Sequence, residues 1–465
     1  MGMRKLGAVA TMVSLLAILA GCATPAPRSD VGIQLFMFNW DSVARECEQS
    51  LGPAGIGWVL VSPPQEHLLD QPWWVHYQPV SYKLESRLGT SEQFAQMVKT
   101  CNDSGVAVIV DAVINHMAGR LSGTGWLGEE FEKYKYANLY DESDFHRCDI
   151  TFSGKIESYS DAQQVQTCDL LGLADLDTSN PLVQGKIVNY LQSLLDLGVA
   201  GFRIDAAKHI SPLDLEQIIA QLPEGTIIYH EVIRGAGEPI QPEQYTATGL
   251  VWEFALASVL QGTALSEWAP ELSEELISYS FLPSNQAISF VTNHDTERNG
   301  KSLSPQRDPV AFALASYLIL ASDYGTPMLY SGYVFEEYDA PPILEPSGLV
   351  ADANCTSSAE PKVGEWICQH RSEKIVGMIS WRIATNDQAV SNFYWDESVT
   401  AFSRGDAGFF AINFGAEPKP LSIATGLAAG SYCNKLEPEC QAFTILENGK
   451  IETVIGPYSA IALSR

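Results

Sequence analysis

Eight short β-branched runs, separated by helical stretches, predict a parallel (β/α)8 barrel of the TIM type. Two further observations complete the architecture: an interval of about sixty residues after the third run, and a change to short alternating runs near Gln388. They predict a small domain inserted after strand three and a C-terminal antiparallel β-sandwich.

The chain opens outside that fold. Arg4 and Lys5 precede a stretch, Leu6 to Ala20, that is apolar or small except for Thr11 and Ser14. This is an export-signal pattern, too short to span a bilayer comfortably. It ends in Leu19-Ala-Gly-Cys22, which resembles the bacterial lipoprotein box, with Cys22 as the lipid anchor. Residues 1–21 therefore read as signal peptide and 22–30 as a Pro-containing tether. Ala23 after the anchor, where no Asp stands, favours the outer membrane of the cell envelope. Beyond Cys22 eight of the nine cysteines remain, an even number that suits an oxidising compartment and allows 105 pairings.

The strand candidates are Ile33–Phe38, Trp58–Ser62, Val106–Asp111, Gly201–Asp205, Thr226–Glu231, Leu250–Phe254, Ala287–Asn293 and Pro327–Ser331. Ser91–Lys99 and Pro181–Leu197 are helical. In the second of these, Val183, Ile187, Tyr190, Leu191 and Leu194 recur near the 3.6-residue period. The barrel is assigned to 31–116 and 178–387, the insertion to 117–177 and the C-terminal domain to 388–465. In the last, Thr400–Phe402, Gly408–Asn413, Ile451–Ile455 and Ser459–Leu463 alternate as strands do.

Composition narrows the function. A net charge of -28, from 56 acidic and 28 basic residues, repels phosphate backbones and excludes nucleic acid as a partner. A hydrophobic share of 46% excludes a disordered chain. A mean hydropathy of -0.01 excludes a polytopic membrane protein. A monomer is expected.

Most of the barrel candidates end in polar residues: Asp111, Asn115 and His116; Arg203, Asp205, Lys208 and His209; Glu231; Asn293, His294 and Asp295. In a parallel barrel the carboxyl ends of all strands meet on one face, so these groups converge. Clustered acids raise at least one pKa, so one carboxyl stays protonated while another stays ionised. Hydrolysis of a glycosidic bond needs that division of labour. Trp73, Trp74, Tyr77 and Gln78, in the Pro-flanked segment Pro72 to Pro79, offer rings for the apolar faces of sugars and polar groups for their hydroxyls.

These strings identify a resemblance. Asp111-AVINH-Met117, Gly201-FRIDAAKH-Ile210, His230-Glu-Val-Ile233 and Thr292-NHD-Thr296 stand in order along the chain, and Pro72-WWVHYQPVSYK-Leu84 precedes them. They resemble the α-amylases of the retaining α-glucan hydrolase superfamily, closest to the animal-type branch. The resemblance implies endo-hydrolysis of α-1,4-glucosidic bonds in starch- or glycogen-type glucans. Asp205 would be the nucleophile, forming a covalent glucosyl intermediate, Glu231 the general acid and base, and Asp295 the third acid. Arg203, His116, His294, Lys208, Trp73, Trp74, Tyr77, Gln78, Tyr159 and Glu238 would bind substrate. The retaining mechanism implies Asp205 and Glu231 carboxyls about 5–5.5 Å apart. A structural calcium would take Asn115, Asp175 and the backbone carbonyls of Gln166 and His209, all hard oxygen donors. The implied disulfides are Cys47–Cys101, Cys148–Cys168, Cys355–Cys368 and Cys433–Cys440. A further family bridge is absent, with Glu85 and Ala118 in its place.

Two departures stand out. Arg203 and Asn293 match two ligands of an activating chloride, but Val334 replaces the third, basic one, which weakens an anion's attraction. Glu297–Arg307 is shorter and more charged than the family's mobile loop. The alternatives are a related transglycosylase or oligosaccharide-releasing enzyme, and a non-catalytic surface glucan-binding protein.

Overall fold

The computed structural model describes residues 1–2, 28–265, 281–356 and 360–465. The expected signal segment, the Cys22 anchor and most of the tether lie outside the described residues. Among the described residues no helix is long and apolar enough to cross a membrane.

Eight strands close into one parallel barrel: β1 Gly32–Leu35, β2 Trp58–Val61, β3 Ala107–Ala112, β4 Gly201–Ile204, β5 Ile227–His230, β6 Leu250–Trp252, β7 Ala287–Phe290 and β8 Thr326–Ser331. Each pairs with its sequence neighbours, and β1 closes the ring on β8. All eight overlap the expected runs, and six are shorter than expected; in β5 and β7 the polar ends Glu231 and Asn293 lie past the ladder and belong to the site.

The period of two divides each strand between two cores. Trp58, Leu60, Ile109, Tyr229, Trp252, Ile288, Phe290 and Met328 fill the barrel. Val59, Val61, Val108 and Val110 face outward and pack beneath the helices. Gly32 has to lack a side chain, because a Cβ there would sit 1.9 Å from the Trp58 indole.

Between β3 and β4 lie two small antiparallel pairs, His116–Met117 with Ala174–Asp175 and Ser122–Thr124 with Glu130–Glu132. The helix Ala162–Thr167 and the Cys148–Cys168 disulfide complete this insertion. The other three disulfides also join the pairs expected: Cys47–Cys101, Cys355–Cys368 and Cys433–Cys440.

The C-terminal part holds two four-stranded antiparallel sheets. One runs in the order β9 Val390–Asp396, β10 Val399–Arg404, β11 Gly408–Asn413 and β16 Ser459–Ser464. The other is β12 Lys419–Ala424, β15 Lys450–Ile455, β14 Ala442–Ile445 and β13 Gly430–Cys433. Val399, Phe409, Leu421, Ile451 and Ile461 pack between them. The helix Glu373–Ala384 docks this unit on the barrel, with Trp381 Nε1 donating to Leu463 O at 2.8 Å.

One boundary needs correction. Residues 28–30 were expected in the tether but are part of the folded body. Ser29 Oγ donates to Gly55 O at 2.8 Å, and Arg382 clamps the Asp30 carboxylate at 2.6 and 2.7 Å. An ion pair and buried hydrogen bonds fix this segment, which free tethers lack.

Candidate active site

The acids gather because strand alternation aims them inward. Asp111 shares the inner face of β3 with Ile109, and Glu231 continues the inner face of β5 beyond Tyr229. Arg203 points into the barrel from β4, its guanidinium 4.9 Å above the Trp252 ring. It is fully buried and serves three carboxylates. Nη1 donates to Asp111 at 2.5 Å and to Asp205 at 2.7 Å, while Nη2 meets Glu231 at 2.8 Å. Asp205 and Glu231 are therefore held by two nitrogens of one planar group.

The backbone sharpens this arrangement. Ala206 lies in the left-handed region (φ 50°), which turns the chain abruptly after Asp205. The turn aims the Ala206 N–H at Glu231 Oε2, 2.7 Å away. Asp295 begins the helix His294–Asn299, capped by Asn293, whose Oδ1 accepts from Asp295 N at 3.1 Å and Thr296 N at 2.8 Å. Asp295 is the most open of the three, with its side chain 36% exposed, against 11% for each of Asp205 and Glu231.

One cation cannot neutralise three acids. Burial pushes Asp111 up to about 6 against the pull of Arg203. Burial likewise raises Asp205 and Asp295, again opposed by Arg203. Burial lowers His116 to about 4 and holds His294 well below the usual imidazole range. The site thus presents neutral imidazoles beside crowded carboxyls.

The expected substrate-binding residues separate into two groups. Tyr77 is half-buried, donates to Asp111 at 2.8 Å and stacks on His294 with centroids 5.1 Å apart. Trp74 and Gln78 are half-buried, and Tyr159 is exposed beside Lys208 and His209. Trp73, by contrast, is 3% exposed, and its Nε1 donates to Tyr338 O at 2.8 Å. It supports the wall more than it faces the cleft. His116 uses Nε2 on Tyr77 O (3.0 Å) and Nδ1 on Asn115 (3.2 Å), so a sugar hydroxyl must compete with those partners. Lys208 is likewise occupied by Ile233 O at 2.7 Å and by Glu238. The Glu297–Arg307 segment is tied down: Arg307 donates to Glu297 O at 2.6 Å, and Gln306 exchanges hydrogen bonds with Phe335.

The residues expected to hold calcium lie in two contacting pairs of segments. His116 pairs with Asp175 across the insertion's first sheet, which brings Asn115 Nδ2 to 3.3 Å from the Asp175 carboxylate. His209 Nδ1 meets Val165 O at 3.0 Å, so the helix carrying Gln166 packs on the segment carrying His209. Asp175 is buried, with His146 against its other oxygen at 2.7 Å. The Asp175 carboxylate and the Asn115 amide oxygen are the hard donors of this pair that would suit calcium, although here the Asn115 amide nitrogen and His146 face Asp175. Where the anion was considered, Arg203 Nε and Asn293 Nδ2 are buried donors without a partner. The third position, Val334, has only a backbone N–H, which donates to Glu365 O.

Pattern reading did not place Phe36, Gln34, Arg298 or Tyr338 around the site. Gln34 meets His294 Nδ1 at 3.1 Å, and Phe36 stacks on His294 at 4.8 Å. Arg298 sits over four rings, Phe36, Trp73, Tyr333 and Phe335, at 4.2–5.2 Å. Asp111, expected among the strand-end groups, joins the site through Arg203 and Tyr77. For the aromatic cage there was none, because its rings come from separate loops.

The family description "Alpha amylase, catalytic domain" matches residues 63–236. The chain is 41% identical to an alpha-amylase of Streptomyces violaceus, over 97% of this chain and 79% of that one. It is 36% identical to an alpha-amylase of Tribolium castaneum, over 97% and 96% of the two chains. Alpha-amylase I of Eisenia fetida, whose mutant has been solved with maltohexaose, superposes with a TM-score of 0.88 at 32% identity, covering 94% of this chain and 98% of that one. With a closed barrel, its acids gathered at one mouth and full-length relatives of this similarity, the chain belongs to the alpha-amylase family of glycoside hydrolases.

Proposed function

We propose that the protein cleaves internal α-1,4 bonds of starch- or glycogen-type glucans with retention of configuration. The observation that carries this reading is the shared clamp: Arg203 holds Asp205 and Glu231 together beside Asp295. Two carboxyls on one guanidinium suit the retaining separation of about 5–5.5 Å.

In this reading Arg203 opposes the burial that raises Asp205, and the Asp205 carboxylate attacks the anomeric carbon. Glu231, in its acid form, transfers its carboxyl proton to the leaving oxygen and is left as the carboxylate, which Ala206 N–H and the Arg203 charge then stabilise. It then takes a proton from the water that opens the glucosyl–Asp205 ester. Asp295 and neutral His294 hold hydroxyls of the distorted ring. Asn115, Asp175 and the carbonyls of Gln166 and His209 would hold calcium, which supplies positive charge joining insertion to barrel. Arg203 Nε and Asn293 Nδ2 suit a small anion. With Val334 uncharged, we infer weak chloride dependence, about twofold or less in turnover on adding chloride to ion-free protein. We also infer export and anchoring through Cys22. Cys22→Ser would move the protein from the membrane fraction to the soluble one.

The test is a time course on soluble starch with chromatography of the products. Early loss of viscosity with α-anomeric oligosaccharides supports the reading. Longer oligomers at early times indicate transfer, and no products indicate a binder. Glu231→Gln should lower kcat about 10²–10⁴-fold with the fold intact by circular dichroism.

A further inference from the structure

The short helix that carries Asp295 also carries a buried cation. Arg298 lies one turn beyond His294, its side chain is fully buried, and its Nη1 donates to His294 O at 3.1 Å. The guanidinium lies over four rings: Phe335 at 4.2 Å, Tyr333 at 4.9 Å, Trp73 at 5.1 Å and Phe36 at 5.2 Å. Those rings come from three loops, after β1, β2 and β8. Phe36 also continues a column of near-parallel rings, Tyr77, His294, Phe36 and Tyr333, with centroids 5.1, 4.8 and 5.9 Å apart. Within the column His294 Nδ1 meets Gln34 at 3.1 Å, and Nε2 faces Asp295 Oδ2 at 3.5 Å. A buried cation is costly unless its surroundings compensate it. The acid beside it, Glu297, stands 3.9 Å away, beyond hydrogen-bond distance, so the ring faces supply much of the compensation. The charge therefore also acts on the His294–Asp295 pair across a low-dielectric interior. Burial raises Asp295, and Arg203 and Arg298 oppose it. Burial lowers His294, with Arg203 and Arg298 adding to the effect and Glu231 opposing it. Asp205 and the hydroxyls of Tyr77 and Tyr338 also face Asp295.

We infer that Arg298 is a positioning residue of the hydrolytic site: a cation enclosed by rings of three loops, it fixes the His294–Asp295 turn and keeps that pair as neutral imidazole and carboxylate. This rests on the hydrolytic reading above and gives a role to a side chain that touches neither substrate nor reacting atoms. In that reading both members of the pair hold hydroxyls of the distorted ring. An error in their charge therefore weakens the transition state more than the bound ground state.

The test compares Arg298→Met, Arg298→Gln and Arg298→Lys with the unaltered protein on maltoheptaose, reading kcat, KM and the pH profile of kcat/KM. Met keeps most of the bulk and removes the charge, Gln is a second neutral variant with a polar tip, and Lys keeps a cation over the rings. The neutral variants should lower kcat about tenfold or more while KM at the optimum stays within about threefold. Without the cation Asp295 and His294 both take up protons at higher pH. The acidic limb should therefore move up by about half a pH unit to one unit. Arg298→Lys should restore the limb and bring kcat to within about threefold of the unaltered protein. In a Glu231→Gln background, calorimetry with maltoheptaose reads the pair without turnover, and Arg298→Met should weaken binding more at pH 5 than at pH 7. A folded neutral variant with unchanged kcat and acidic limb would overturn the inference, as would a folded Arg298→Lys no better than Arg298→Met. If neither neutral variant folds by circular dichroism, Arg298 serves the fold alone and the inference is rejected. If the unaltered protein does not hydrolyse maltoheptaose, the hydrolytic reading fails, and the pH dependence of binding alone decides whether Arg298 sets the charge of the pair.

Discussion

Arg203 decides the electrostatics of the site because its shape matters as much as its charge. Two nitrogens in a rigid plane reach Asp111, Asp205 and Glu231 together. A lysine ammonium is a single point and cannot span those positions. Arg203→Lys should therefore retain the buried charge yet lower kcat about a hundredfold or more. Steady-state kinetics checks this, and activity within a few-fold of the original would show that charge alone suffices. Ala206 offers a second test. Its left-handed conformation costs an L-residue about 1 kcal/mol, and a β-branched side chain more. Ala206→Val should lower both turnover and melting temperature, since it works against the turn that aims the Ala206 N–H at Glu231. Ala206→Gly, for which this conformation is unstrained, should preserve turnover.

Elements were legible in the sequence where one physical signal dominated. The barrel strands are buried on both faces, so β-branched runs revealed all eight, and the strand-end acids marked the mouth. The helix at 91 was legible from its amphipathic spacing, and the structure adds a capping box: Thr90 Oγ1 accepts from Gln93 N at 3.3 Å, and Gln93 Oε1 accepts from Thr90 N at 3.0 Å. Four C-terminal strands were not legible. Lys419–Ala424 contains Pro420 and exposes alternate residues, while Gly430–Cys433 is short and largely exposed. Neither shows the dense apolar pattern of a core strand. Side-chain partners were less legible still, because Arg298 and Tyr338 depend on loops whose paths no periodicity describes. The capping box gives a prediction confined to one element. Thr90→Ala should cost about 1 kcal/mol of stability in denaturant unfolding and leave kcat/KM unchanged, since this end of the helix lies outside the site.

For the molecule as a whole, buried imidazoles set a lower limit on the pH at which the fold persists. His67 is fully buried. Its Nδ1 meets Leu68 O at 2.8 Å and its Nε2 accepts from Arg87 N at 3.3 Å, while the His76 ring packs 4.2 Å away. Burial lowers its pKa to about 3, and does the same to His230. The unfolded chain takes up these protons near the ordinary value of about 6.5, whereas the folded chain does not. Below pH 6.5 the unfolded state therefore binds more protons, and stability is lost as pH falls towards 3. By pH 5 the loss is about 2 kcal/mol for each imidazole. Asp111 acts in the opposite sense. Raised to about 6 in the fold, it is protonated there first and adds stability as pH falls from 6 towards the ordinary carboxylate range. His116 and His294 add to the imidazole side, and Asp205, Asp295 and Asp175, the last raised to about 7, add to the carboxyl side, so the net slope is a difference from which one substitution isolates one group. His67→Gln, whose amide can both donate and accept in the same place, isolates one contribution. Urea midpoints at pH 7 and pH 5 should differ less in His67→Gln than in the unaltered protein, by an amount matching about 2 kcal/mol. Equal pH dependence in the two proteins would mean that His67 is protonated in the fold without cost, and that acid sensitivity lies elsewhere.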